Sequence, residues 1–412
     1  MPVQGTLFGG SLDTTANNFA NVDNQDVTNT QNEASAQKLE NAGDTREYRN
    51  LISQLRDYSG KLLVKVGYQR TCLCGRKVVD RNQGVNLKIQ KTKSGKRAHV
   101  SGLQTCGSVW HCPVCAYKIS KQRRKEVINT IDNVYKAMGR AGFLTLTIPH
   151  YSFERCEGVL KALQETWSRM KVGRKWRDLL SEYRYLGYIT KLEVTYGQNG
   201  WHPHLHMVLF AEDTEERLEE FSYKIFDLWA ESAERKTGKK CSIDAFNYQP
   251  ITNIEGAADY TAKWDLAKEM TDTSAKQGRS KGGMTPFQIL REGFERTNST
   301  EKRYFENLFR EYAKTFHGRR HLNWSKGLKD LFCTVAGKNK ADQDLVKDSQ
   351  GEILTRFSYR VWLLIDQLFL KNPLLEIAET SERPVQEILA LLWSHGIDCD
   401  NKYNSITLLD DS

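Results

Sequence analysis

Between residues 140 and 270 the spacing of apolar positions switches repeatedly between two and between three and four, which predicts strands separated by helices. FLTLTIP (143–149) reads as a buried strand stopped by Pro149. GYITKLEVTYG (187–197) alternates as a strand, WHPHLHMVLF (201–210) reads as a second, and the GQNG between them is a hairpin signal. CSIDAFNYQPI (241–251) predicts one more strand. Helical spacing covers 117–139, where Val127, Ile131, Val134 and Met138 share a face, and then 152–183, 214–235 and 254–270. Helical character runs on to about Leu370 around a polar patch at 338–352, and short helices are expected over 371–412. Strands alternating with helices imply one α/β or α+β unit built on a sheet. Residues 1–45, rich in Asn, Asp, Thr and Gln, bury too little to offset their ordering entropy and are expected to be disordered. The polar, glycine-rich 271–285 is expected to be a mobile loop.

A length of 412 residues suggests two or three domains. Lys plus Arg is 60 against 51 Asp plus Glu, a net charge of +9 compatible with a polyanionic partner. No run of 18 apolar residues argues for a membrane span, and the start lacks a basic segment followed by an apolar one, so a cytoplasmic, non-membrane protein is expected. Five of nine cysteines crowd between Cys72 and Cys115, which reads as metal binding before disulfides. Cys72 with Cys74, and Cys112 with Cys115, form two close pairs whose four thiolates would close a structural Zn²⁺ site, with Cys106 able to replace Cys72 or Cys74.

His202, His204 and His206 point to one face of a strand, and Leu205 to the other. If all of GQNG is the loop, Glu193 lies opposite His204; if Asn199-Gly200 alone is the turn, it lies opposite His206. Either register gives a His, His, carboxylate set suited to Mn²⁺ or Mg²⁺ polarising a phosphate.

His204-Leu205-His206 resembles the signature of the HUH endonucleases, and GQNGWHPHLHMVLF resembles the version found in rolling-circle replication initiators of small bacterial plasmids. FLTLTIP resembles the first family motif. ADYTAKW (258–264) resembles the third, the helix bearing a nucleophilic tyrosine. WHCPVCAYKISKQRR (110–124), MTPFQIL (284–290) and GRRHLNWSKGLKDL (318–331) also resemble family segments, so the likeness covers roughly residues 70–335.

The resemblance implies an α+β fold: an HUH core of a central antiparallel sheet with flanking helices, preceded by a zinc-knuckle-like segment and followed by a helical C-terminal region. The expected division is a tail over 1–45, a cysteine-rich zinc segment and basic helix over 46–139, the nuclease core over 140–270, a basic loop and helical DNA-binding extension over 271–370, and a small helical region over 371–412. The resemblance further implies site- and strand-specific nicking of plasmid origin DNA, single-stranded or hairpin, through a 5′-phosphotyrosine on Tyr260. Lys263, one turn on, would lower the phenol pKa or hold a phosphate. His204, His206, Glu193 and His202 would serve the metal, and Arg319, Arg320 and Lys326 would join Tyr260 in contacting DNA. A host helicase and polymerase would be partners. Gly256 stands where some relatives carry a glutamate that ends the reaction. The competing readings are an HUH-type transposase and a catalytically inactive zinc-containing copy-control protein.

Overall fold

The computed structural model describes residues 46–92, 95–252, 283–347, 350–398 and the backbone of 406–408. The predicted tail, the predicted helix 254–270 with Tyr260 and Lys263, and most of the predicted loop 271–285 lie outside the described residues. Among the described residues no helix is long and apolar enough to cross a membrane.

The larger of two sheets contains β3 (Arg140–Leu146), β4 (Tyr185–Gly197), β5 (Gly200–Ala211), β6 (Asn247–Ile251) and β7 (Leu322–Trp324). It is antiparallel throughout, in the order β6-β3-β5-β4-β7. Leu205, Met207 and Leu209 of β5 face a core shared with α3 (Cys156–Val172) and α5 (Glu215–Thr237). Val208 and Phe210, of opposite parity, face a separate core with Val127, Ile131 and Val134 of α2 (Pro113–Lys136). The predicted helix 152–183 is divided at Gly173, whose extended backbone ends α3 and begins α4 (Arg174–Glu182). Thr214 caps α5 by accepting from the Arg217 amide, and Gly238, at φ 70°, closes it in the left-handed conformation.

A second sheet is absent from the sequence-based expectation. β1 (Val85–Thr92) and β2 (Gly95–Ser101) form a hairpin, and β1 also pairs with β8 (Glu352–Phe357), which in turn pairs with β9 (Ile406–Leu408). Val85, Leu87 and Phe357 are buried there under α8 (Tyr359–Gln367), α9 (Lys371–Thr380) and α10 (Pro384–Ser394). Residues 352–357, expected within a helical extension, are therefore strand. The alternation Val85, Leu87, Ile89 was the available signal, but it sits in a segment dominated by cysteines and lysines.

The first helix, α1 (Arg46–Leu63), packs Tyr48, Ile52 and Leu55 into the larger core. There it meets α7 (Ser299–Phe316), which follows α6 (Pro286–Glu295).

Candidate functional site

The hairpin β4–β5 pairs Gly197 with Gly200, which sets Glu193 opposite His204. Of the two registers the sequence allows, this is the one with GQNG as the loop. Gly200 is left-handed at φ 77°, and a Cβ there would fall 2.6 Å from the Ser152 carbonyl oxygen. That close approach joins the hairpin tip to the loop after β3.

One face of the sheet changes character along its length. Under α2 it is apolar, with Phe143, Ile189, Val208 and Phe210. Beyond α2 the same face carries Thr145, Lys191, Glu193, His204 and His206, since each strand keeps its parity. Three ligand atoms converge at that end. His204 Nε2 and His206 Nε2 are 3.1 Å apart, Glu193 Oε2 is 2.9 Å from His206 Nε2, and it is 3.5 Å from His204 Nε2.

At His204 the other ring nitrogen fixes the tautomer. His204 Nδ1 lies 3.1 Å from the His202 carbonyl oxygen, which only accepts, so Nδ1 carries the proton and Nε2 a lone pair. Thr145 Oγ1 lies 2.9 Å from His206 Nδ1 and orients that ring, while Phe143 stacks on it at 5.1 Å. At His206 the neutral ring is favoured: burial lowers its pKa, against the attraction of Glu193. Burial works against the Glu193 carboxylate too, but the Lys191 ammonium beside it, with His206 and His204, holds its pKa well below the ordinary range. Three lone-pair donors 2.9–3.5 Å apart match three neighbouring vertices around an ion with ligands at about 2.1 Å, whose adjacent donors lie about 3 Å apart.

His202 shares the face but the structure does not bring it to this group. It lies opposite Thr195, and its Nδ1 is 2.9 Å from His150 Nε2. Burial, reinforced by His204 and His150, takes its pKa down to about 4. Thr145, His150 and Lys191 were missed by sequence reasoning. Strand parity would have found Thr145 and Lys191 once the register was known.

The cysteines assemble differently. Cys74, Cys106, Cys112 and Cys115 bring their sulfurs within 4.8 Å of one another. The sulfurs are 3.7 Å apart for Cys74–Cys112 and 3.6 Å apart for both Cys74–Cys115 and Cys106–Cys115. These are far beyond a disulfide bond of about 2.05 Å. A tetrahedral zinc with sulfurs at about 2.3 Å places them about 3.8 Å apart, so the set fits that ion.

Cys72 is a correction to the expected set. It ends a helical turn, Gln69–Cys72, and its thiol donates to the Gly60 and Tyr68 carbonyl oxygens at 3.1 and 3.3 Å, away from the other sulfurs. Cys112 caps α2, with Pro113 in the first turn, and so aims the Cys112–Cys115 pair inward. The buried Arg56 guanidinium lies beside the cluster, where a Cβ on Gly75 would come 2.2 Å from its Nη1. Hydrogen bonds from Cys106, Cys112 and Cys115, helped by Arg56, hold the Cys74 thiol well below its ordinary pKa, while burial pushes Cys112 up.

Several basic side chains within residues 117–125 and 319–329 are already engaged. Glu126, with 0% exposure, accepts from Arg123 at 2.8 Å and Lys329 at 2.8 Å, and Arg123 also binds Asp342 at 2.7 Å. Arg319 closes α7 by donating to the Thr315 carbonyl oxygen, and it reaches Gln164. That leaves it positioned as a structural cation. Arg320 and Lys326 are exposed.

A family model described as replication protein matches residues 98–366. "Protein rep" of Streptomyces lividans is 26% identical over 317 residues, covering 62% of this chain and 69% of that protein. "Protein rep" of Lentilactobacillus hilgardii is 27% identical over 179 residues, 42% of this chain and 53% of its own length. "Neomycin resistance protein" of Streptomyces cyanogenus is 27% identical over 135 residues, 27% and 31% respectively. No solved structure matches.

Proposed function

Because this chain belongs to the replication-protein family, we propose that it initiates rolling-circle replication of a small plasmid by nicking one strand of the origin and holding the cut end covalently. The observation that supports this most is the convergence of His204 Nε2, His206 Nε2 and Glu193 Oε2 at the polar end of that sheet face. Those three residues would hold Mn²⁺ or Mg²⁺, and the ion when bound offers positive charge to the scissile phosphate. Thr145 keeps the His206 ring in place, and Lys191 adds a fixed cation next to Glu193.

The attacking group in this reading is Tyr260, whose phenolate oxygen bonds to phosphorus as the bond from phosphorus to the 3′ oxygen breaks. The phenol proton leaves to solvent, with the Lys263 ammonium favouring the phenolate, and the departing 3′ oxygen takes up a proton. The products are a 5′-phosphotyrosine and a 3′ hydroxyl from which a host polymerase would extend beside a host helicase. In the same reading Cys74, Cys106, Cys112 and Cys115 hold a structural Zn²⁺ that fixes the start of α2 to the segments around Cys74 and Cys106. Arg320 and Lys326 contact the DNA backbone.

The test is incubation with a single-stranded origin oligonucleotide and Mn²⁺. The wild type is expected to give a covalent protein–DNA adduct, and Tyr260→Phe to give none while binding the oligonucleotide nearly as well. An adduct of undiminished yield from that variant would overturn the assignment of the nucleophile.

A further inference from the structure

The loop that follows β3 presents two large aromatic rings to solvent. Phe153 is 80% exposed and Tyr151 is 55% exposed. Leaving this much apolar ring surface in water is unfavourable, and a loose loop would fold it away. This loop is held open. The Glu154 carboxylate accepts from the Tyr151 amide and from Lys239 Nζ, the latter at 2.8 Å, and the Glu154 amide donates back to the Tyr151 carbonyl oxygen at 3.0 Å. Lys239 Nζ also sits 3.9 Å from the centre of the Tyr151 ring. The two rings lie at 5.3 Å with an interplanar angle of 12°. They are stacked one on the other, with Lys239 over Tyr151 and Phe153 the more exposed ring of the pair.

The surroundings identify the occupant. Ser152, between the two rings, touches the hairpin tip at Gly200, and His150, just before them, meets His202 at 2.9 Å. His202 is 5.4 Å, ring to ring, from the ligand His204. The aromatic surface therefore adjoins the metal-binding end of the sheet. Basic residues flank it: Arg155 and Lys240 are exposed, and Lys239 lies over Tyr151. Flat rings, cations and a phosphate-directed site together match unpaired nucleotides, whose bases stack on aromatic faces while their phosphates meet the cations. A base pair in a duplex has no free face to offer.

We propose that Tyr151 and Phe153 form a stacking platform for unpaired bases next to the scissile phosphate, so that the protein selects single-stranded DNA at its nicking site. This rests on the nicking function proposed above and adds the residues that recognise the unwound strand.

The experiment measures equilibrium binding of a fluorescein-labelled 20-nucleotide oligothymidine, and of a duplex of the same length, by anisotropy in EDTA, where cleavage cannot contribute. Phe153→Ala with Tyr151→Ala is expected to weaken oligothymidine binding roughly 5- to 100-fold, as loss of one stacked base predicts, and to leave duplex binding within twofold. Phe153→Trp should retain wild-type affinity and Phe153→Leu should not, because the ring face matters and not the apolar volume. Equal unfolding temperatures are expected, since both side chains are exposed. Wild-type oligothymidine affinity in the double alanine variant overturns the platform, as does equal weakening of the duplex. A wild-type protein that stacks bases but forms no adduct with origin DNA and Mn²⁺ would instead count against the nicking function alone.

Discussion

The two ligand clusters of this protein are built by opposite means. Glu193, His204 and His206 come from adjacent positions of one hairpin, so strand register alone brings them together. Cys74, Cys106 and Cys112 with Cys115 come from three separate stretches, and loops bring them together. Three donors would leave one side of an ion open, which suits exchange and chemistry. Four would enclose it, which suits permanence. A site made by register needs no ion to exist, whereas a site made by loops gains its order from the ion.

The sharpest way to break this contrast is Cys106→Ser. It should abolish stoichiometric zinc in protein purified without added metal and unfold the N-terminal part of the chain, because an apparent binding energy on the order of 10 kcal/mol is there folding energy. Cys72→Ser should keep its zinc, since that thiol is bonded to backbone carbonyls elsewhere. Elemental analysis with thermal unfolding decides both, and zinc lost from the Cys72 variant but kept in the Cys106 variant would invert the assignment.

At the hairpin the effect should fall on rate and not on folding. His204→Ala and His206→Ala are each expected to slow origin nicking by on the order of a hundredfold or more with little change in melting temperature. EDTA should stop the wild type, and Mn²⁺ should restore it. Glu193→Ala should be partly rescued by raising Mn²⁺. Wild-type rates for His204→Ala in limiting Mn²⁺ would remove the hairpin from the mechanism.

Acid offers a third comparison. Burial, opposed by Asp342, takes the pKa of His321 down to about 4. Its ordinary value is about 6.5, so below that pH the unfolded chain binds a proton that the folded chain refuses. The contribution to stability is full above pH 6.5 and is lost as pH falls toward 4, on the order of 3 kcal/mol over the window. Denaturant titrations from pH 7 to pH 4 should show this slope in the wild type and a flatter one in His321→Gln.

The smallest expected effects are on the DNA-facing cations. Arg320→Ala and Lys326→Ala should each weaken DNA binding by about 1 kcal/mol and reduce the salt dependence by about one phosphate contact. Arg319→Ala should instead lower the melting temperature, because its guanidinium closes α7.

The same division governs how much could be read in advance. Two-residue alternation in EVTYGQNGWHPHLH puts Glu193 and the histidines on one face in either register, so the candidate ligand set was legible before its register was. Cys72 and Cys106 could not be told apart, because a loop's path follows from contacts such as the Cys72 thiol on the Gly60 carbonyl oxygen, and no period encodes those. His202 was misplaced for a related reason: parity gives a face, but only packing places His150 against it. Arg319 was expected to contact DNA together with Arg320 and Lys326, although Arg319 turns inward to Gln164, as Lys329 does to Glu126. The second sheet was missed because β8 lies far along the chain from the hairpin β1–β2 it pairs with.

That second sheet also sets a timetable for synthesis. Arg356 bonds to Asn86 across 270 positions, so the hairpin β1–β2 leaves the ribosome long before β8 exists to pair with it. At about 5–20 residues per second the wait is on the order of 15–50 s. Throughout it, one edge of β1 is an unsatisfied row of amides and carbonyls, the kind of edge through which nascent chains join one another. Lys88 and Lys91 on β1, with Lys96 and Arg97 on β2, make that edge self-repelling until Phe357 arrives opposite Val85.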